Sequence, residues 1–131
     1  MKVGFTCGCF DGLHAGHKHL LREAARLCDY LVVAVNSDEW CREWKGPERP
    51  IIRLEERIEA IDLYLHFVPG AVRWNHAIIP FAGRDWELIS AIRPDVVFRG
   101  YDQKPTALAF PVIVVDKLPG FSTTSQARSA S

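Results

Sequence analysis

The chain has 131 residues, 48% of them hydrophobic and 24% charged, a length that suits one compact domain over residues 1–131 and leaves no room for a second. Sixteen basic residues balance sixteen acidic ones, which excludes a protein that grips nucleic acid through an overall basic field; an anionic ligand has to be held locally. No apolar run reaches the ~18 residues of a membrane span, and "MKVGFTCGCF" lacks the apolar core of a secretory signal, so a cytoplasmic protein is expected.

Lys2 to Cys7 ("KVGFTC") is a short apolar run ending at Gly8, the pattern of a buried strand entering a turn. From Gly16 onward, Leu20, Leu21, Ala24, Leu27 and Cys28 recur every three or four positions and predict an amphipathic helix, with Lys18, Arg22, Glu23 and Arg26 mostly outward. Tyr30 to Asn36 ("YLVVAVN") is unbroken in its apolarity, as a strand covered on both faces is. Ser37 or Asp38 caps a short helix carrying Trp40 and Trp44, and "KGPERP" (Lys45 to Pro50) is a loop by its glycine and prolines. Leu54, Ile58, Ile61 and Leu65 mark a helix from Arg53 to about His66. Pro69-Gly70 is a turn signal and His76 to Phe81 a strand, while Val72 to Asn75 carries no assignable pattern. A helix over Trp86 to Ile92, strands over Asp95 to Arg99 and Pro111 to Val115, and a last helix capped by Ser122 or Thr123 complete the chain. This alternation predicts a single Rossmann-like, doubly wound parallel sheet of about five strands with helices on both faces. Ligands of such sheets bind beyond the carboxyl ends of the strands.

At that end of the sheet, Gly8 to His17 ("GCFDGLHAGH") leaves the first strand and enters the first helix. A helix amino terminus carries about half a positive charge and backbone N–H groups without intrahelical partners, a setting for phosphate. His14 and His17 flank it, and Gly8 and Gly16 let a ligand approach the backbone. The segment reads as a polyphosphate site. Cys7 and Cys9 with His14, His17 and His19 can be drawn as a metal site, but there is no C-x-x-C pair, and Cys28 falls on the apolar stripe of the helix. No protein metal ligands are assigned, and Cys7, Cys9, Cys28 and Cys41 are read as reduced thiols.

The pattern G-x-F-D-x-x-H-x-G-H resembles the signature of the HxGH nucleotidyltransferases, and the resemblance extends over nearly the whole chain. "YLVVAVNSDEW", "KGPERP" and "LEERIEAI" are similar in order to segments of the heptose-1-phosphate adenylyltransferase domain of bacterial ADP-heptose synthesis. "GFSTT" (Gly120 to Thr124) resembles the triphosphate-holding segment of glycerol-3-phosphate cytidylyltransferases, and "GYDQ" (Gly100 to Gln103) a segment of the archaeal FAD synthetases.

The resemblance implies transfer of a nucleoside monophosphate from ATP or CTP, with ATP preferred, to a sugar-phosphate or polyol-phosphate acceptor, releasing pyrophosphate. The attacking phosphate oxygen is already largely ionised at pH 7, its second pKa being about 6, so no general base is required. The site must supply positive charge, hydrogen bonds and in-line alignment. On that reading His14 and His17 contact the β and α phosphates, with His17 or Lys45 nearest the transferring phosphorus. Gly8, Cys9, Phe10, Asp11, Gly16, Gly100, Asp102, Lys117, Gly120, Ser122, Thr123 and Thr124 complete the nucleotide site, Asp11 by orienting its loop. Lys45 and Arg57 meet the acceptor, while Arg99 is open to a structural role. Mg2+ rides on the triphosphate, held by nucleotide and water. Lys117, Leu65 and Ile89 stand where the glycerol-3-phosphate enzymes carry Arg, Arg and Lys, which disfavours that acceptor. The alternatives are glycerol 3-phosphate or FMN as acceptor, and a non-catalytic nucleotide-binding module. An aminoacyl-tRNA synthetase is disfavoured, since the chain has no K-M-S-K-S segment and no length for tRNA-binding domains. Nucleic acid and membrane are not expected partners, and the relatives imply a homodimer.

Overall fold

A computed structural model describes residues 1–67, 75–100 and 110–116. In chain order it contains β1 (Val3–Gly8), α1 (Ala15–Arg26), β2 (Tyr30–Asn36), α2 (Asp38–Lys45), α3 (Leu54–Phe67), β3 (His76–Phe81), α4 (Asp85–Ile92), β4 (Val96–Gly100) and β5 (Val112–Val115). The strands form one sheet of order β3-β2-β1-β4-β5, and every ladder is parallel. The expected Rossmann-like sheet is therefore present, with element ends moved by one or two residues, the ordinary scatter of helix and strand ends. The turn at Pro69-Gly70 and the helix capped by Ser122 or Thr123 lie outside the described residues.

Period-two alternation in β2 divides the core. Leu31, Val33 and Val35 point to one face, where Leu20, Leu21, Ala24 and Ala25 of α1 and Ile61 and Leu65 of α3 cover them. Val32 and Ala34 point to the other, where they join Phe5, Val97 and Ile89 of α4. A continuous apolar strand is what this two-sided cover requires, and each fully buried Leu, Ile, Val or Phe contributes about 1.5–3 kcal/mol. Gly4 permits close packing on the α1 face. A Cβ there would lie 2.6 Å from Phe98 Cε2 and 2.8 Å from Cys28 Sγ.

Leu27 departs from the expected stripe. It is the C-cap of α1 and 37% exposed, because the chain must already turn to place Asp29 N and Tyr30 N on the carbonyl of Lys2. Cys28 keeps its place against the core, its thiol donating to Ala24 O at 3.2 Å.

Strand order reverses between β1 and β4, the switch point at which a crevice opens at the carboxyl ends. The β1–β4 ladder registers only Gly4 with Val96 and Phe5 with Val97. One residue further, the buried Thr6 hydroxyl donates to Phe98 O at 3.0 Å, so a side chain continues the join toward the crevice.

Candidate active site

The loop from Gly8 to α1 turns sharply enough to need three positive φ angles, at Phe10 (52°), Gly12 (84°) and Leu13 (27°). A non-glycine residue in that region costs on the order of 1–3 kcal/mol and persists where its surroundings enforce it. Burial of the Phe10 ring supplies the enforcement. The ring packs 3.4 Å from where a Cβ on Gly8 would stand and lies edge-on to His17, with centroids 5.4 Å apart.

His14 is the N-cap of α1, extended at φ −79° and ψ 179°. Its Nδ1 accepts from Gly16 N at 3.0 Å and from His17 N at 3.4 Å. An Nδ1 that accepts places the neutral ring's proton on Nε2, so the cap fixes His14 as an Nε2–H donor. His17 stacks on it, with centroids 3.7 Å apart and planes 18° from parallel. This changes the helix-terminus picture drawn from sequence: the Gly16 and His17 amides serve the His14 ring, and the ring takes over as donor at the helix mouth.

Asp11 anchors the loop from outside. Its Oδ1 accepts from Ile52 N at 3.0 Å, and its Oδ2 from Ile51 N at 2.9 Å and Arg49 Nη1 at 3.3 Å. Burial of this carboxyl opposes its ionisation, yet the two amides and the guanidinium outweigh burial and hold it below its ordinary value of 3.8.

Arg57 needs a correction. Expected to meet the acceptor phosphate, it is 1% exposed and committed to protein. Nε donates to Ile52 O at 2.8 Å, Nη1 to Cys9 O at 2.7 Å and Asn36 O at 2.9 Å, and Nη2 to Asp38 Oδ1 at 2.6 Å. Neither neighbouring glutamate on its helix, Glu56 or Glu59, is its ion-pair partner. A planar fork of donors can satisfy carbonyls converging from separate segments, which a lysine could not. Arg57 thereby ties α3 to the carboxyl ends of β1 and β2 and to the start of α2. Asn36 and Asp38 belong to this network and Arg49 to that of Asp11; Asp38 reads from sequence only as a candidate cap, whereas the cap of α2 is Ser37, which accepts from Trp40 N.

Cys9 and Phe10 are buried, so what they offer a nucleotide is backbone. Lys45 is not in a loop: it is the last residue of α2, exposed, and followed by Gly46 at φ 107°. Gly100 ends β4 at the crevice. Arg99, one residue earlier, is buried and paired with Asp85 at 2.6 Å. Asp102, Lys117, Gly120, Ser122, Thr123 and Thr124 lie outside the described residues. None of the four cysteines, all among the described residues, is in a disulfide. Burial pushes Cys7 and Cys41 up to about 12 and Cys28 to about 11, so these three stay protonated near neutrality. Between the loop and α3 lies a cavity of about 380 Å³, walled by Phe10, Leu13 and Arg57 and by the carboxylates Glu56 and Glu59.

Strand reversal at β1 and β4, with a stacked imidazole pair on the first crossover, defines a Rossmann-like α/β domain whose ligand crevice sits at the carboxyl ends of the strands. The chain belongs to the cytidylyltransferase-like family, whose model matches residues 5–118. It is similar to the bifunctional protein HldE of Hydrogenovibrio crunogenus, 45% identical over 117 residues, which make up 88% of this chain and 23% of that protein. HldE of Gluconacetobacter diazotrophicus is 44% identical over 107 residues, 80% of this chain and 20% of the relative. The chain thus spans 20–23% of the length of these curated relatives. A lipopolysaccharide core biosynthesis protein from Thermoplasma volcanium GSS1 has a similar structure, with a TM-score of 0.67, 28% identity, and coverage of 90% of this chain and 97% of that one.

Proposed function

We propose that residues 1–131 form one nucleotidyltransferase domain that transfers a nucleoside monophosphate, from ATP in preference to CTP, to a sugar-phosphate acceptor of the heptose 1-phosphate kind, releasing pyrophosphate. The observation that carries the reading is the capped His14, whose Nδ1 accepts from backbone N–H and so leaves Nε2 as a donor beside the stacked His17. Charge accumulates on the phosphate oxygens as the acceptor attacks the α-phosphorus. Donors already oriented toward those oxygens stabilise the transition state without reorganising. The acceptor phosphate brings its own ionised oxygen, so the residues need only align and stabilise. Lys45 adds positive charge from the end of α2, and Arg57 acts at a distance by holding the loop carbonyl of Cys9.

A sugar acceptor draws support from the cavity beside the loop, where Glu56 and Glu59 offer oxygens to hydroxyl groups. The Thermoplasma volcanium neighbour, a lipopolysaccharide core biosynthesis protein, agrees with a sugar-processing setting. Both oxygens of Asp11 are engaged by protein donors, so that carboxylate is not offered to a metal; Mg2+ would enter on the triphosphate, coordinated by nucleotide and water, and neutralise its charge. A cytoplasmic location and a homodimer complete the proposal. Among the described residues no helix is long and apolar enough to cross a membrane.

The test is a matrix of ATP and CTP against heptose 1-phosphate, glycerol 3-phosphate and FMN, read by pyrophosphate release. Turnover with ATP and the heptose is expected. Nucleotide binding without turnover across the matrix would leave a binding module instead. Replacing His17 with Ala should lower turnover by about two or more powers of ten, the scale of a lost oxyanion donor.

A further inference from the structure

At the opposite edge of the sheet, Asp62, His66 and His76 converge. Asp62 and His66 are four apart in the last turns of α3 and therefore share a face. His76 opens β3 and pairs in register with Leu31 at the amino end of β2, whereas the nucleotide loop leaves the carboxyl end of β1. Both imidazoles approach one carboxylate oxygen, with Asp62 Oδ1 at 2.8 Å from His76 Nε2 and 3.6 Å from His66 Nδ1. All three donor atoms lie within 4.8 Å of one another.

We propose that Asp62 Oδ1, His66 Nδ1 and His76 Nε2 bind one zinc ion, with water in the fourth position. Zinc takes nitrogen and carboxylate ligands at about 2.0–2.2 Å in a tetrahedron, which sets donor atoms roughly 3.4 Å apart. The two measured separations bracket that value. The third closes by rotation of His66, whose side chain is 60% exposed. His76 is the rigid member: its side chain is 7% exposed, and its Nδ1 has no hydrogen-bond partner among the described residues, so Nε2 is the atom that holds the ring in place. One carboxylate and two neutral imidazoles leave a net negative site at a helix carboxyl end, where the dipole also favours a cation. A plain Asp–His hydrogen bond accounts for the 2.8 Å contact alone. His66 Nδ1 also donates to the Asp62 carbonyl oxygen at 2.9 Å, a bond within α3 that a bound ion would replace as the ring rotates and Nδ1 gives up its proton; what favours an ion is the convergence of all three ligand atoms within 4.8 Å of one another. The bound ion would clip α3 to β3 across residues 67–75, and this holds whether or not the chain catalyses nucleotidyl transfer.

The experiment uses the full chain stripped of metal by chelator dialysis, titrated with ZnCl2 by calorimetry and with CoCl2 by visible absorption. One zinc per chain is expected, with the d–d bands of tetrahedral cobalt and a melting temperature that rises with zinc concentration, as binding to the folded state alone requires. His66→Ala and Asp62→Asn change exposed side chains and so test the site even if His76→Ala fails to fold. Each should weaken zinc binding at least ~10-fold, since even outer-shell losses cost about that much, and abolish the thermal shift while leaving pyrophosphate release unchanged. The double variant His14→Ala, His17→Ala should still bind zinc. The proposal is overturned by the absence of stoichiometric binding, by binding that survives both His66→Ala and Asp62→Asn, or by binding that disappears with His14 and His17.

Discussion

Replacing His14 separates two roles that one ring performs. As N-cap its Nδ1 accepts from Gly16 N and His17 N, and as a proposed catalytic group its Nε2–H donates to phosphate. His14→Ala loses both. Loss of the cap costs about 1 kcal/mol, and a chain of 131 residues unfolds with an entropy near 0.28 kcal/mol per kelvin, so the melting temperature should fall by roughly 4 °C. Loss of the donor should cost about 2.7–4 kcal/mol of transition-state stabilisation, or ~100- to 1000-fold in kcat. His14→Asn keeps a side-chain oxygen for the cap but cannot reach as far as Nε2. It should restore most of the melting temperature and none of the turnover. Thermal melts paired with steady-state pyrophosphate release, at saturating ATP and acceptor, measure both quantities in the same samples. If His14→Asn turns over within a few-fold of the wild type, the ring is not the phosphate donor; if His14→Ala melts unchanged, the cap contributes nothing.

Arg57→Ala should destabilise the fold by roughly 3–5 kcal/mol in urea unfolding, because the carbonyls of Cys9, Asn36 and Ile52 and the Asp38 carboxylate all lose their donor; unchanged stability with a raised KM for the acceptor would return Arg57 to the acceptor role. Gly4→Ala places a methyl 2.6 Å from Phe98 and 2.8 Å from Cys28 and should cost about 1–3 kcal/mol by overpacking, partly recovered when Cys28 is also Ala, as double-mutant unfolding curves would reveal. Asp11 has a folded pKa below its unfolded one, so its contribution is present above the unfolded value and drains away as pH falls through the folded one, below about pH 5. Melts across that acid range should show a shallower loss for Asp11→Asn than for the wild type.

Where local pattern and burial agree, the chain could be read directly. Leu31 to Val35 reads as a strand covered on both sides because no polar residue interrupts it, and the structure divides those five side chains between two helical layers. The loop around His14 was legible for another reason: glycine, acid and paired histidines at a strand-to-helix junction form a local signature, and every residue in it lies within ten positions. Lys45 was misplaced because Gly46 and Pro47 look like a loop beginning one residue too early; a helix can keep its last turn up to the glycine that caps it.

Sequence alone determined the alternation of strands and helices and the placing of an imidazole pair beyond the carboxyl end of the first strand, since each depends on residues near one another in the chain. Only the tertiary structure decided what Arg57 does and which tautomer His14 carries. It also decided that His76 comes to rest beside Asp62 and His66. These outcomes are set by where a guanidinium, a ring nitrogen or a carboxylate finds its partner in space. Arg57 meets Cys9 from 48 positions away, and no periodicity in the chain records which of many possible acceptors a buried donor will reach.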